Sequence, residues 1–295
     1  MTDRVRRARR RAGFGRPALA RQNFAGVRLA KRGARHENAP PVAVSIHPLA
    51  HVDPGAKLGA DVVVGPFAVI EDDAEISDGC RIDAHAVIAA GSRIGRRNVV
   101  HSFAVLGGAP QDRRYAGEPT TLVVGDDNVF REHVTAHRGT GYGGGVTRIG
   151  NAGLFMVGVH VAHDAIVGDR VTLANGTLLA GHVVLEDHVV TGGHVAVAPF
   201  VRVGARSFLA GGSMVERDVP PFVIAEGNRA RVRALNRVGL ERTGVPLESR
   251  VALKRAFRAI FVGDLPRAEA LARFESDPDP FVRELVAFLR APPRR

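Results

Sequence analysis

Aliphatic residues recur at every sixth position over much of the chain. From Ile46 to Leu106 each sixth residue is aliphatic, and small residues recur four positions after it. The aliphatic positions are Ile46, Val52, Leu58, Val64, Ile70, Ile76, Ile82, Ile88, Ile94, Val100 and Leu106. This period differs from the 3.6-residue repeat of an α-helix and from strand alternation. It is typical of a triangular coil in which each hexapeptide forms one short strand and one corner, so that three complete a turn.

The period is interrupted twice. Residues 107–122 and the Gly-rich residues 139–147 do not fit it, and we expect both to leave the coil as loops. Apolar residues return in phase at Val124, Phe130 and Ala136, and then at Ile149, Phe155, Val161, Val167, Leu173, Leu179, Leu185, Val197, Val203, Leu209 and Val215, with Thr191 as the polar exception. The sequence therefore predicts a mainly β protein, a left-handed parallel β-helix over residues 45–221, in which each coil covers the apolar face of the next.

The spacing changes after Pro220 and Pro221, where apolar residues become three or four positions apart. These residues are Val232, Leu235, Val238, Val251, Leu253, Phe257, Ile260, Phe261, Leu271, Phe274, Phe281, Leu285, Phe288 and Leu289. Such spacing indicates amphipathic helices. We predict a small C-terminal helical domain over residues 222–295, which could cover the open end of the coil or pack on neighbouring subunits.

The positive charge of the chain lies in its first segment. Residues 1–35 hold eleven Arg and one Lys against the single acid Asp3, which equals the net charge of +11, and the rest is balanced. The charge therefore does not indicate a nucleic-acid-binding domain. Residues 1–44 have few large apolar side chains, so we expect a disordered arm. It could be a solvated tail, or a segment that results from an upstream translation start not used in the cell. It could also contact anionic lipid or nucleic acid, or act as an organellar transit peptide.

Cysteine content and hydropathy narrow the compartment. Cys80 is the single cysteine of the chain, which excludes an intrachain disulfide and fits a reducing environment. No apolar run of about 18 residues and no apolar segment typical of a secretory signal is present. We therefore expect a cytoplasmic protein without stable insertion into a membrane.

Stacking at intervals of 18 residues would bring several histidines together. His163 and Gly181 would share one column of the coil, and Asp164 and His182 the next, with His160 close along the chain. An imidazole titrates near neutral pH and an adjacent carboxylate fixes its tautomer, so His163 with Asp164 suits a general base. The backbone N–H of Gly181 could face a developing oxyanion. Zinc binding by histidines of neighbouring coils is the competing interpretation.

Five segments together resemble one family. They are QDRRYAGEPT at 111–120, HRGT at 137–140, HVAHD at 160–164, LAGHV at 179–183 and DVPPFVIAEGN at 218–228. In this order they resemble the acyl-carrier-protein-dependent UDP-N-acetylglucosamine O-acyltransferases, which open lipid A synthesis. The resemblance covers residues from about 45 to about 263 and is weaker beyond.

The resemblance implies a homotrimer with active sites in clefts between subunits, and no metal or bound cofactor. His163, oriented by Asp164, would take the proton of the sugar 3-hydroxyl as it attacks the thioester of a 3-hydroxyacyl chain on acyl carrier protein. The N–H of Gly181 would stabilise the oxyanion. The residues that would bind the sugar nucleotide or the polar end of the acyl chain are Asp112, Arg114, His160, His182, Asn236 and Arg242. Gly211 would set the acyl length, and a glycine there would leave room for a longer chain.

The chain also departs from the family. Where the family usually has Lys, His-Gln, an acid and Arg, this chain has Arg114, Ala198-Pro199, Val238 and Thr243. Three alternatives therefore stay open. The chain could acylate a 3-amino sugar nucleotide, or act as a non-catalytic paralogue that binds acyl carrier protein or sugar nucleotide. It could also be a coenzyme A-dependent acetyltransferase, which the segment 111–120 argues against.

Overall fold

The structure, a computed structural model, describes residues 44–292. The predictions for the basic arm, apart from Val44, fall on residues outside this part. Before the second loop the strands are β1 (Ser45–Ile46), β2 (His51–Val52), β3 (Lys57–Leu58), β4 (Val63–Val64), β5 (Val69–Ile70), β6 (Glu75–Ile76), β7 (Arg81–Ile82), β8 (Val87–Ile88), β9 (Ser92–Ile94), β10 (Val99–Val100), β11 (Val105–Gly108), β12 (Thr121–Val124), β13 (Val129–Phe130) and β14 (Thr135–His137). After it they are β15 (Val146–Ile149), β16 (Leu154–Phe155), β17 (His160–Val161), β18 (Ile166–Val167), β19 (Thr172–Leu173), β20 (Leu178–Leu179), β21 (Val184–Leu185), β22 (Val190–Thr191), β23 (Ala196–Val197), β24 (Arg202–Val203), β25 (Phe208–Leu209), β26 (Met214–Val215), β27 (Val223–Glu226) and β28 (Arg231–Leu235).

Every third strand belongs to the same sheet, which confirms the predicted coil. The first sheet runs from β1 through β4 and β7 to β25, β27 and β28, the second from β2 to β26, and the third from β3 to β24. Neighbouring strands of the coil are parallel, and Val63 of β4 pairs with Arg81 of β7, 18 residues later. We call the turn from the first to the second sheet corner A, that from the second to the third corner B, and that from the third to the first corner C.

The core lies inside the triangular coil. The second residue of most two-residue strands points inward, and Ile70, Ile88 and Leu173 are fully buried. Phe130 and Phe155 occupy the same register position on successive coils, with ring centroids 4.8 Å apart. Because each apolar layer is covered only by the next coil, the stack is stable as a whole and not as single units.

Both loops leave the coil at corner B. The first joins β11 to β12, and the second joins β14 to β15 and contains a short 3-10 turn, Gly141–Gly143. The loops are shorter than predicted, because the strands at their bases are extended. Thr121–Val124 pairs over four residues with Val146–Ile149, so these loop ends belong to the third sheet.

The first sheet continues past Pro221. The strand β27 pairs in parallel with β25, and β28 pairs antiparallel with β27. Val232 and Leu235 therefore lie on a strand, and the prediction of a helix there was wrong, because the open edge of the first sheet supplies hydrogen-bonding partners that local spacing does not reveal. The helices are α1 (Arg237–Arg242), α2 (Leu247–Phe261), α3 (Arg267–Ala272) and α4 (Pro280–Arg290). Leu253 of α2 and Leu285 of α4 are fully buried.

Candidate active site

Two successive turns at corner B carry the predicted catalytic residues. His163 and Asp164 lie between β17 and β18, and Gly181 and His182 lie one coil later, between β20 and β21. Asp164 and His182 adopt left-handed backbone conformations, with φ of 59° and 63°. This corner conformation turns the chain sharply, and the parallel pairing of β17 with β20 stacks the two turns.

A hydrogen-bonded pair lies at the centre of the site. His163 Nδ1 is 2.8 Å from Asp164 Oδ2. The Asp164 carboxylate is only 1 % exposed, and it also accepts hydrogen bonds from the Thr140 N–H at 2.9 Å and the Thr140 hydroxyl at 2.6 Å. With the carboxylate held in this way, we assign the ring proton of His163 to Nδ1, which leaves a lone pair on Nε2.

Gly181 lies against the imidazole of His163. A Cβ atom at position 181 would lie 2.6 Å from His163 Cε1 and 2.8 Å from Nε2, closer than a side chain allows. Within residues 44–292, the backbone N–H of Gly181 has no hydrogen-bond acceptor. The glycine thus permits close packing of the imidazole and places an N–H donor beside it.

The first loop supplies an acidic and a basic side chain, Asp112 and Arg114. Asp112 Oδ2 is 4.0 Å from His163 Nε2, and Arg114 donates to both Asp112 oxygens at 3.2 and 3.0 Å. Hydrogen bonds from Arg114 and then Tyr142 hold the pKa of Asp112 far below its usual range. Asp112 is therefore an ionised, anchored group at the mouth of the site.

Three further histidines line the site in their neutral form. Burial lowers the pKa values of His182, His160 and His137, that of His137 to about 4. His182 Nε2 is 3.7 Å from Asp164 Oδ2, and His160 Nδ1 is 2.7 Å from the Thr135 hydroxyl. Neutral imidazoles can donate and accept hydrogen bonds, so they suit the binding of hydroxyl-rich ligands.

Three side chains of the site also have the spacing of a metal site. Ligand atoms of His163, Asp164 and His182 lie within 4.8 Å of one another. The Asp164 carboxylate already accepts three hydrogen bonds, from Thr140 and His163. A metal bound through Asp164 would compete with these hydrogen bonds for the carboxylate oxygens, whereas proton transfer by His163 uses the arrangement as it stands.

The remaining predicted residues lie on other elements. Asn236 caps α1, accepting from the Gly239 N–H at 3.0 Å and donating to the Arg206 carbonyl at 2.8 Å. Arg242 ends the same helix. Gly211 lies at corner A, where a Cβ atom would be 3.3 Å from the Gly193 carbonyl oxygen.

Sequence reasoning assigned no role to three residues near the site: His137, Thr140 and Tyr142. Thr140 binds Asp164, and the ring of His137 lies 4.8 Å from that of His160. His137 and Thr140 belong to the segment HRGT, which carries the family resemblance. The overlap of this segment with the Gly-rich residues 139–147 was the available signal.

Comparison with known proteins identifies the family of the chain. A family model described as UDP N-acetylglucosamine O-acyltransferase, domain 2, matches residues 218–295, and a model of six bacterial transferase hexapeptides matches residues 73–108. The acyl-[acyl-carrier-protein]–UDP-N-acetylglucosamine O-acyltransferase of Herminiimonas arsenicoxydans is 43% identical over 255 residues, covering 84% of this chain and 97% of that protein. The chain belongs to this family of acyltransferases. The enzyme of the same name from Janthinobacterium sp. (strain Marseille) is 45% identical over the same shares of both chains.

Solved structures of family members have the same fold. The UDP-N-acetylglucosamine acyltransferase from Campylobacter jejuni superposes with a TM-score of 0.81 at 36% identity, covering 85% of this chain and 98% of that chain. The UDP-N-acetylglucosamine O-acyltransferase from Moraxella catarrhalis also has a TM-score of 0.81 at 36% identity, with 86% and 99% covered. These similarities confirm the mainly β, hexapeptide-repeat architecture with a small helical C-terminal part.

Two departures from the family pattern border the site of this acyltransferase. Arg114 replaces the usual lysine and binds Asp112 through two nitrogens. Pro199 lies at corner B one coil beyond Gly181, next to Phe200, whose ring stacks on His182 with centroids 4.5 Å apart.

Within the described part of the chain, no helix is both long and apolar enough to cross a membrane.

Proposed function

We propose that this chain transfers a 3-hydroxyacyl chain from acyl carrier protein to the 3-hydroxyl of UDP-N-acetylglucosamine, the first step of lipid A biosynthesis. One observation carries the proposal: the His163–Asp164 pair packs directly on Gly181, with Nδ1 and Oδ2 2.8 Å apart. A base, its orienting acid and an N–H donor are thus adjacent, as acyl transfer requires. The cytoplasmic location expected from the sequence is part of this proposal.

The reaction needs one proton acceptor. His163 Nε2 takes the proton of the sugar 3-hydroxyl as the oxygen attacks the thioester carbonyl carbon, and Asp164 stabilises the resulting imidazolium. The carbonyl oxygen becomes an oxyanion that accepts a hydrogen bond from the Gly181 N–H. Collapse of the tetrahedral intermediate breaks the C–S bond, and His163 returns the proton to the departing thiolate. The thioester is already activated, so a positioned base suffices.

An apolar strip leads from this base to Gly211. The outer face of the second sheet carries Leu178, Ala196 and Met214 in pairing register, and Leu178 and Met214 are 49% and 40% exposed. This strip runs along the axis of the coil, from the turn that carries Gly181 to the turn that carries Gly211 at corner A. We place the acyl chain along it, so that the side chain at position 211 limits its length.

The polar part of the substrate would occupy the mouth of the site. Asp112, Arg114, His160 and His182 offer charged and neutral hydrogen-bonding groups around His163. In the homotrimer that we propose, Asn236 and Arg242 bind the nucleotide from the helical region of a neighbouring subunit. The division into a β-helical acyltransferase domain (45–221) and a helical domain (222–295) belongs to the same proposal.

An acyl-transfer assay tests the function. Purified protein is incubated with 3-hydroxyacyl carrier proteins of several lengths and UDP-N-acetylglucosamine, and products are identified by mass. We expect transfer by the native chain and a loss of about 100-fold or more in His163→Ala. His188→Ala is the control, since His188 has the same left-handed conformation, φ 60°, but lies at corner C.

Three results would contradict the proposal. Product that forms only with a 3-amino sugar nucleotide would establish N-acylation. Product that forms only from acetyl-coenzyme A would establish an acetyltransferase. Substrate binding by a folded protein without any product would establish a non-catalytic paralogue.

A further inference from the structure

Tyr142 occupies the space between the two loops at corner B. It lies in the 3-10 turn Gly141–Gly143, its hydroxyl donates a hydrogen bond to Asp112 Oδ2, and the residue is 47% exposed. The guanidinium carbon of Arg114 lies 4.0 Å from the centroid of the Tyr142 ring. The ring centroid of His182 is 6.2 Å away on a tilted plane. Tyr142 therefore contacts three residues that we assign to substrate binding.

The turn that carries Tyr142 is itself anchored on both sides. The Gly141 N–H donates to Glu118 Oε1 of the first loop at 3.0 Å. Thr140, two residues before Tyr142, binds Asp164 through its N–H and hydroxyl. One short turn thus connects the Asp112–Arg114 pair to the acid behind His163.

We infer that Tyr142 is a positioning residue for the sugar-nucleotide end of the site. Its ring favours arginine over lysine at position 114 of this chain. A guanidinium is planar, so Arg114 can stack on the Tyr142 ring and still bind both oxygens of Asp112. A lysine ammonium is a compact point charge that cannot make both interactions with the same geometry. The inference rests on the proposed function and identifies Tyr142 as the residue that holds the anion-binding side chain of Arg114.

The exposure of Arg114 indicates that its side chain, although held by Tyr142 and Asp112, is available to a ligand. Its side chain is 68% exposed although it stacks on Tyr142 and binds Asp112. A side chain that is held in one orientation and still open to solvent can bind an anionic ligand at little further cost in conformational entropy. A nucleoside diphosphate sugar is such a ligand, so loss of Tyr142 should raise KM for this substrate more than it lowers kcat.

A double-mutant cycle tests the coupling between the two residues. KM for UDP-N-acetylglucosamine and kcat are measured at fixed acyl donor for the native chain, Arg114→Lys, Tyr142→Ala and the double variant. A cation–π pair at an exposed site is worth about twofold to fivefold in affinity. We expect Arg114→Lys to raise KM by about that factor in the native chain and by less than about twofold in the Tyr142→Ala background.

The second tyrosine supplies a matched control. Tyr115 lies in the first loop, and its hydroxyl accepts a hydrogen bond from Arg138 Nε at 3.0 Å. Its change to Phe should combine additively with Arg114→Lys. Tyr142→Phe removes the hydrogen bond to Asp112 but keeps the stacking partner, so its KM should lie between those of the native chain and Tyr142→Ala.

Failure of the inference is distinguishable from failure of the proposed function. An active native chain in which the Arg114 and Tyr142 effects are additive would overturn the inference alone. If the native chain is inactive, tyrosine fluorescence decides, because the chain has no Trp and two Tyr. In Tyr115→Phe, Tyr142 is the single reporter. A saturable emission change on titration with UDP-N-acetylglucosamine supports the inference, and an unchanged emission overturns it.

Discussion

Thr140 and Asp164 are joined by two hydrogen bonds, one from the Thr140 N–H to Oδ1 and one from its hydroxyl to Oδ2. The two residues are 24 positions apart and belong to different turns of corner B. Because both carboxylate oxygens are held, Asp164 can present only one orientation to His163. The second loop therefore controls the geometry of the proposed base without contacting its reacting nitrogen.

Replacing Thr140 by Val tests this control. The valine keeps the shape and the backbone N–H but loses the hydroxyl donor, and a hydrogen bond to a charged group is worth about 1.5–3 kcal/mol. We expect kcat to fall about tenfold or more, while Thr140→Ser retains activity. Equal activity of the Val and Ser variants would contradict the assignment.

Gly181 should tolerate no side chain. In Gly181→Ala the new Cβ would overlap His163 Cε1 at 2.6 Å, so the imidazole must move. Displacement of a catalytic group by about 1 Å can reduce the rate about 100-fold, and we expect a loss of this size in kcat/KM. The melting temperature of Gly181→Ala/His163→Ala should equal that of His163→Ala, since the clash is then removed. A fully active Gly181→Ala enzyme would refute this account of the site.

Acyl-chain length should depend on position 211. In Gly211→Met the added side chain would project from corner A at the end of the apolar strip. We expect the longest accepted 3-hydroxyacyl donor to become shorter, while the best shorter donor is transferred at close to the native rate. Competition between donors of different length, with product masses as the readout, measures the shift. An unchanged length preference would remove Gly211 from the acyl path.

Protonation of His137 should destabilise the fold in acid. Burial lowers its pKa from 6.5 to about 4, so the unfolded chain binds this proton more readily than the folded chain. The stabilisation is complete above pH 6.5 and is lost as the pH falls toward 4, by about 3 kcal/mol in total. Denaturant titrations at pH 7 and pH 4.5 should show a smaller loss of unfolding free energy in His137→Gln than in the native chain. An identical pH dependence in both would disprove the contribution.

Chelation separates proton transfer from zinc chemistry. If His163 acts as a base, dialysis against a strong chelator leaves acyl transfer unchanged. The ligand atoms of His163, Asp164 and His182 are close enough for a metal, so the experiment has a definite alternative outcome. Activity that disappears on chelation and returns with added zinc would establish the metal interpretation.

The sequence period predicted the coil because its cause is local. Each strand pairs with the third strand after it, 18 residues later where no loop intervenes, so an inward aliphatic residue such as Ile82 is required on each coil. The same stacking rule predicts from spacing alone that His163, Gly181, Asp164 and His182 lie together. The departure at Val232 had a non-local cause, since the pairing of β28 with β27 depends on the open edge of the first sheet.

The sequence by itself determined the repeat and the family and indicated the proposed base, because stacked repeats convert fixed spacing into fixed neighbours. Only the tertiary structure decided what surrounds that base. The contacts of Thr140 with Asp164 and of Tyr142 with Arg114 join loops whose paths no period describes. These side chains meet because both loops leave the coil at corner B, and the strands that follow the two loops, β12 and β15, pair in the third sheet. Such contacts depend on three-dimensional paths, and spacing along the chain contains no measure of them.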